Sequence, residues 1–136
     1  MTGSIKHTEF KNVVIICCLS LALAVVFGAF GAHLLEDKLS EHYMGVYKTG
    51  NFYHFIQSLG WLLLIVVARQ FGIHELRWTN LLFGLGIFLF CASLYILSFN
   101  EYIEMPGLRK LGAITPIGGL CFIAAWLTAA YRIYKR

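Results

Sequence analysis

Six residues carry side chains able to do chemistry within or beside the apolar stretches: His33, His54, Gln57, Ser93, Tyr95 and Thr115. Imidazole, amide and hydroxyl groups both donate and accept hydrogen bonds. Brought together, they would orient a lipid headgroup or a quinone oxygen. Histidine is also a normal axial ligand of haem iron, so His33 and His54 on adjacent helices meet the minimum requirement for a b-type haem. The alternative without a ligand is that these groups bond to one another and fix the fold. No nucleophile–base pair and no phosphate-binding glycine loop can be argued, so no catalytic residue is expected. Cys17, Cys18, Cys91 and Cys121 show neither a CxxC pair nor a Cys/His zinc spacing. They read as small buried hydrophobes, with a chance Cys91–Cys121 proximity as the alternative. No metal and no cofactor is expected.

The elements that must position these groups follow from composition. Of 136 residues, 59% are hydrophobic and 13% charged, against about 25% charged in soluble domains. Four spans of ~20 residues would use about 80 of them and leave short loops. The fold class expected is therefore all-α: one integral membrane domain, a four-helix bundle with helices at about 13–32, 52–68, 78–99 and 116–133. The net charge is +4, from 11 Lys and Arg against 7 Asp and Glu. The basic residues are scattered over loops and tails and form no stripe, which excludes nucleic acid as a partner.

Val13 to Ala32 contains no charge. A basic start, an apolar run and Ala29-Phe30-Gly31 also resemble a cleavable signal peptide, but the expectation is a retained first transmembrane helix. Within it, Ser20, Ala24, Gly28 and Ala32 recur every fourth residue. They form a small-residue ridge on which another backbone can pack closely. Gly118 and Gly119 narrow the fourth helix in the same way. Between the first two helices, 33–50 reads as the longest connection, with a short interfacial helix at His33–Leu39 and Tyr43 and Tyr47 at headgroup level. Thr49-Gly50-Asn51 reads as cap and breaker, and Thr115-Pro116 as the start of the fourth helix. Pro106-Gly107 reads as a turn. His54, Gln57, Ser58 and Trp61 fall at i, i+3, i+4 and i+7, one polar face of the second helix.

Lys6, Lys11, Arg69, Arg77, Arg132, Lys135 and Arg136 lie on the side of the termini, seven basic residues against four (Lys38, Lys48, Arg109, Lys110) on the other. The positive-inside rule then places both termini in the cytoplasm. This topology brings His33, His54, Gln57, Ser93, Tyr95 and Thr115 to similar depth in the outer half of the bundle. It sets their height, not their distance around the bundle.

Gly28-Ala29-Phe30-Gly31-Ala32-His33-Leu34-Leu35, Thr49 to His54, Ala92 to Leu97 and Ile114 to Gly119, followed by Phe122 to Trp126, together resemble the YgdD/YwdK-like small membrane proteins, the domain of unknown function 423. The resemblance implies a four-helix integral membrane protein and no particular activity. Two departures stand out. Gln57 occupies a position where the family commonly has a second histidine, and Cys91-Ala92 stands where it tends to have Ser-Gly. The role expected is a structural or accessory subunit in a bacterial inner membrane. Its partners would be the lipid bilayer and either a second copy or a larger membrane complex. The alternatives are the ligand-binding polar cluster and the haem protein.

Overall fold

The computed structural model describes residues 2–103 and 107–135, without the side chains of 2–7, 108 and 109. Helix α1 (Thr2–Phe30) continues through a π-helical turn, Gly31–Leu35. Then follow α2 (Glu41–Gln70), α3 (Arg77–Ser98, π-helical over Ile87–Ala92), a short α4 (Asn100–Ile103) and α5 (Leu108–Tyr134). Four stretches are long and apolar enough to cross a bilayer: Thr8–Leu35, Glu41–Gln70, Arg77–Ser98 and Lys110–Tyr134. Helices are the expected solution there, because hydrocarbon offers no partner to a free backbone N–H or C=O.

The same constraint corrects three boundaries. Thr49-Gly50-Asn51 does not open α2 but lies well inside it. The Thr49 hydroxyl donates back to the Gly45 carbonyl at 2.9 Å. Gly50 is there for proximity, since a Cβ on it would stand 3.0 Å from Leu94 Cβ. Thr115-Pro116 likewise does not open α5, which begins two turns earlier. Proline removes one backbone N–H, and the Thr115 hydroxyl donates to the Leu111 carbonyl at 3.3 Å beside that gap. Of the Pro106-Gly107 turn, Pro106 lies outside the described residues.

The third correction concerns the connection expected at 33–50. No separate interfacial helix forms. After the π turn the chain reverses tightly, with Lys38 N–H and Leu39 N–H both donating to the Leu35 carbonyl at 3.0 Å. Leu35, Leu39, Met44 and Tyr47 close into a small apolar cluster, so Tyr47 faces its neighbouring helices rather than outward. A π turn holds one residue more than an α turn. The inward face nonetheless keeps the ordinary helical period: Cys17, Ala24, Gly31 and Leu35 are buried, and Ala32, the last member of the expected ridge, is exposed because steps of four residues drift about 40° each around the helix.

Each long helix packs chiefly on its sequence neighbour, α1 on α2, α2 on α3 and α3 on α5. Trp61 of α2 stacks on Phe83 of α3, with centroids 5.6 Å apart and planes at 12°. Between α3 and α5, Gly118 is buried where a Cβ would collide with the Phe90 backbone, 2.8 Å from its Cα. Gly119 is half-buried, its Cβ position 3.7 Å from the Phe90 ring. The α2–α3 link turns at Gly72 (φ 69°). There Ile73 N–H donates to the Ala68 carbonyl and Gly72 N–H to that of Arg69, the Schellman arrangement. All four cysteines are free; Cys17 and Cys91 are buried, whereas Cys18 is exposed.

The two glycine environments give a paired expectation. Gly118→Val should cost about 1–3 kcal/mol through overpacking against Phe90. Gly112→Val, with nothing within 4 Å of its Cβ position, should stay within about 0.5 kcal/mol of the parent. Thermal melts followed by circular dichroism in one detergent compare the two.

Candidate functional site

The polar residues of the bundle sort into separate groups, and the largest is built on one face of α2. Tyr47, Asn51, His54 and Ser58 fall at i, i+4, i+7 and i+11, one side of a helix. His54 and Ser58 are buried. Opposite them on α1 stand Ser20, Ala24 and Gly28, three of the four ridge residues. From α3 comes Tyr95.

Ser20 Oγ lies 3.1 Å from His54 Nε2 and 2.7 Å from Ser58 Oγ. His54 Nδ1 lies 3.2 Å from the Tyr95 hydroxyl, to which the Asn51 side-chain amide also donates at 3.1 Å. The same Asn51 nitrogen donates to the Ala24 carbonyl at 2.8 Å, and the Tyr47 hydroxyl to that of Phe27 at 2.7 Å. Donor accounting then sets a direction. Asn51 donates to the Tyr95 oxygen, so the Tyr95 proton is best used on His54 Nδ1. His54 Nε2–H donates in turn to Ser20, and Ser20 to Ser58. The opposite tautomer would leave the Tyr95 proton without an acceptor in the cluster, whereas this direction leaves only the Ser58 proton, and a phenol is a stronger donor than an aliphatic hydroxyl. Phe27 covers the group, its ring centroid 4.8 Å from that of Tyr95 and 6.3 Å from that of His54. Tyr47 packs on Tyr95 at 5.1 Å.

The six residues singled out by type are thus dispersed. His54 and Tyr95 meet. Ser93 and Thr115 form a different pair, with oxygens 2.7 Å apart, and the Ser93 hydroxyl also reaches the Phe90 carbonyl at 2.9 Å. Gln57 turns to α5, where its Oε1 accepts from Trp126 Nε1 at 2.9 Å. His33 is exposed on the π turn. The bis-histidine arrangement is not formed, because His33 faces outward and both ring nitrogens of His54 are already engaged. Asn51, Ser58 and Tyr47 were missed as members. Their signal was the i, i+4, i+7, i+11 spacing, which is visible only when α2 is read through Thr49-Gly50-Asn51.

Every polar atom that makes the Asn51–Tyr95–His54–Ser20 chain has a protein partner, so the arrangement ties α1, α2 and α3 together. Tyr95→Phe should lower stability by about 1 kcal/mol. A double-mutant cycle with Asn51→Ala should return a coupling of about 0.6–1.7 kcal/mol, the span of interhelical bonds in membranes. Unfolding in mixed micelles measures both.

The sequence matches the family model described as a protein of unknown function (DUF423) over residues 27–119. The chain is 40% identical to a UPF0382 membrane protein of Staphylococcus haemolyticus (strain JCSC1435), covering 92% of this chain and 97% of that one. It is 40% identical to the UPF0382 membrane protein YwdK of Bacillus subtilis (strain 168), covering 86% and 91%. A UPF0382 membrane protein of Staphylococcus aureus (strain bovine RF122 / ET3-1) is 35% identical over 92% and 97%. No solved structure matches significantly. With the family model covering all of α2 and α3, and relatives matching along nearly their whole length, the chain belongs to the DUF423 (UPF0382) family of membrane proteins.

Proposed function

We propose that this protein is a structural or accessory subunit of a bacterial inner membrane, and that its first helix is the docking element. The carrying observation is the one-sided packing of α1. Only 11% of its most apolar window is buried, against 33% for α2. The inward face (Cys17, Ser20, Ala24, Gly28, Gly31) is spent on α2. An outward-facing stripe holds Cys18, Ala22, Val25 and Ala29 at i, i+4, i+7 and i+11, all exposed. Small and short side chains at this spacing let a second helix approach closely. The partner is a second copy or a larger membrane complex. Engagement of both His54 ring nitrogens by Ser20 and Tyr95 supports a structural role there rather than a site for a lipid or quinone.

Purified from its own membranes in mild detergent, the protein should migrate as an assembly larger than a monomer. Ala22→Phe with Ala29→Phe should release the monomer while helicity is unchanged, since both positions are exposed. A wild-type protein that is monomeric throughout contradicts the proposal.

The proposed orientation has both termini in the cytoplasm, supported by seven basic residues on that side against four on the other. In a background without Cys18, a Tyr134→Cys variant should react with a membrane-impermeant maleimide only after lysis. An Asp37→Cys variant should react in cells whose outer membrane is absent or permeabilised. The reverse pattern inverts the topology.

A further inference from the structure

At the end of the bundle that carries the termini, α1 and α3 part over α2 and leave a cleft of about 520 Å³, within the range of small-molecule sites. Its wall toward the bilayer is apolar: Phe10 and Val13 of α1 and Ile65 of α2. Its mouth is charged, with Arg69 at the end of α2, Arg77 at the start of α3 and Glu9 across from them on α1, and with His74 and Glu75 of the α2–α3 link, Glu75 being held by Arg132. These charges bound the uncharged stretches of their helices, so the mouth lies at the level where hydrocarbon gives way to headgroups.

Three features show what the cleft would hold. The Arg69 guanidinium lies over the Phe10 ring, 4.2 Å from its centroid. Stacking occupies the face of the guanidinium and leaves its in-plane N–H groups to donate. Among the described residues, neither Arg69 nor Arg77 has a carboxylate within ion-pair distance, whereas Arg132 holds Glu75 at 3.1 Å. Asn80, on the α3 side of the cleft, accepts from Trp61 Nε1 through its Oδ1 at 2.9 Å. An indole N–H only donates, so the Asn80 oxygen is the atom used there and its nitrogen remains to donate. The donors suit a phosphate, Glu9 suits an ammonium, and the apolar wall suits acyl chains.

We propose that this cleft binds one ethanolamine glycerophospholipid, with its phosphate on Arg69, Arg77 and Asn80, its ammonium at Glu9, and its chains along Phe10, Val13 and Ile65. A soluble phosphate compound would use the same donors but gain nothing from the apolar wall. A glycerol headgroup would leave Glu9 facing no cation.

Native mass spectrometry of the full-length protein, delipidated in mild detergent, tests this. The probes are phosphatidylethanolamine and phosphatidylglycerol with identical chains, and inorganic phosphate. The one-lipid adduct should form about tenfold more readily with the ethanolamine lipid, the size of one charge-assisted contact. Arg77→Gln should lower adducts of both lipids by a similar factor. Glu9→Gln should remove the preference between them. Both residues are exposed, so the fold should be retained, which circular dichroism checks. Equal adducts for the two lipids, adducts unaffected by Arg77→Gln, or displacement of the lipid by inorganic phosphate would each overturn the assignment, the last in favour of a soluble anion.

Discussion

A polar group buried away from water must find its partner inside the protein, and most of this structure follows from that requirement. In hydrocarbon an unpaired N–H, C=O or hydroxyl costs several kcal/mol. His54 is buried, about 9 Å along α2 beyond the exposed Lys48 at 1.5 Å per residue. It is held because Ser20 of α1 and Tyr95 of α3 take its two nitrogens. Asn51 and Tyr47 extend the arrangement by bonding to backbone carbonyls of α1. The result is a directed chain of bonds through three helices. Its members can be satisfied together only in one mutual register of those helices, which gives the cluster its structural meaning.

Departures from regular helix occur beside such bonds. The π turn at Gly31–Leu35 follows the Phe27 carbonyl that Tyr47 engages, and Gly31 is where a Cβ would run into the Tyr47 ring. The π segment Ile87–Ala92 in α3 faces the proline-containing part of α5. There Ser93 meets Thr115 and Gly118 admits the Phe90 backbone. Local loosening of one helix is thus matched by a close approach or a side-chain bond from its neighbour. α1 differs in being braced on one side only, chiefly by α2, with Phe27 also against Tyr95 of α3, and the proposed docking role draws on this asymmetry.

The number of spans and their centres were legible from the uncharged runs, because the hydrocarbon thickness sets a length that composition reveals directly. Their ends were not. Gly50, Asn51 and Pro116 are helix breakers by the chemistry of water, where a freed backbone group finds a solvent partner. In the bilayer that escape is closed, and the same residues serve close packing, a carbonyl contact and a tolerated kink. The small-residue ridge was readable as far as Gly28 and failed at Ala32, since steps of four residues drift around a helix of about 3.6 residues per turn and the inward position passes to Gly31. For the polar residues, the topology addressed depth and left neighbourhood open. Ser93 and Gln57 both face α5 whereas His54 faces α1 and α3, because rotation about the helix axis decides the partner.

The central claim is that the chain of bonds from Asn51 to Ser58 engages both His54 ring nitrogens, and so organises the bundle rather than waiting for a ligand. The most direct measurement is nitrogen NMR of the His54 ring in the protein reconstituted in bilayers. The account predicts a single tautomer, with the proton on Nε2 and the bare nitrogen at Nδ1, and a ring proton exchanging slowly with water. Two interconverting tautomers, or a His54 proton in rapid exchange with solvent, would mean that the cluster is open, and would contradict it.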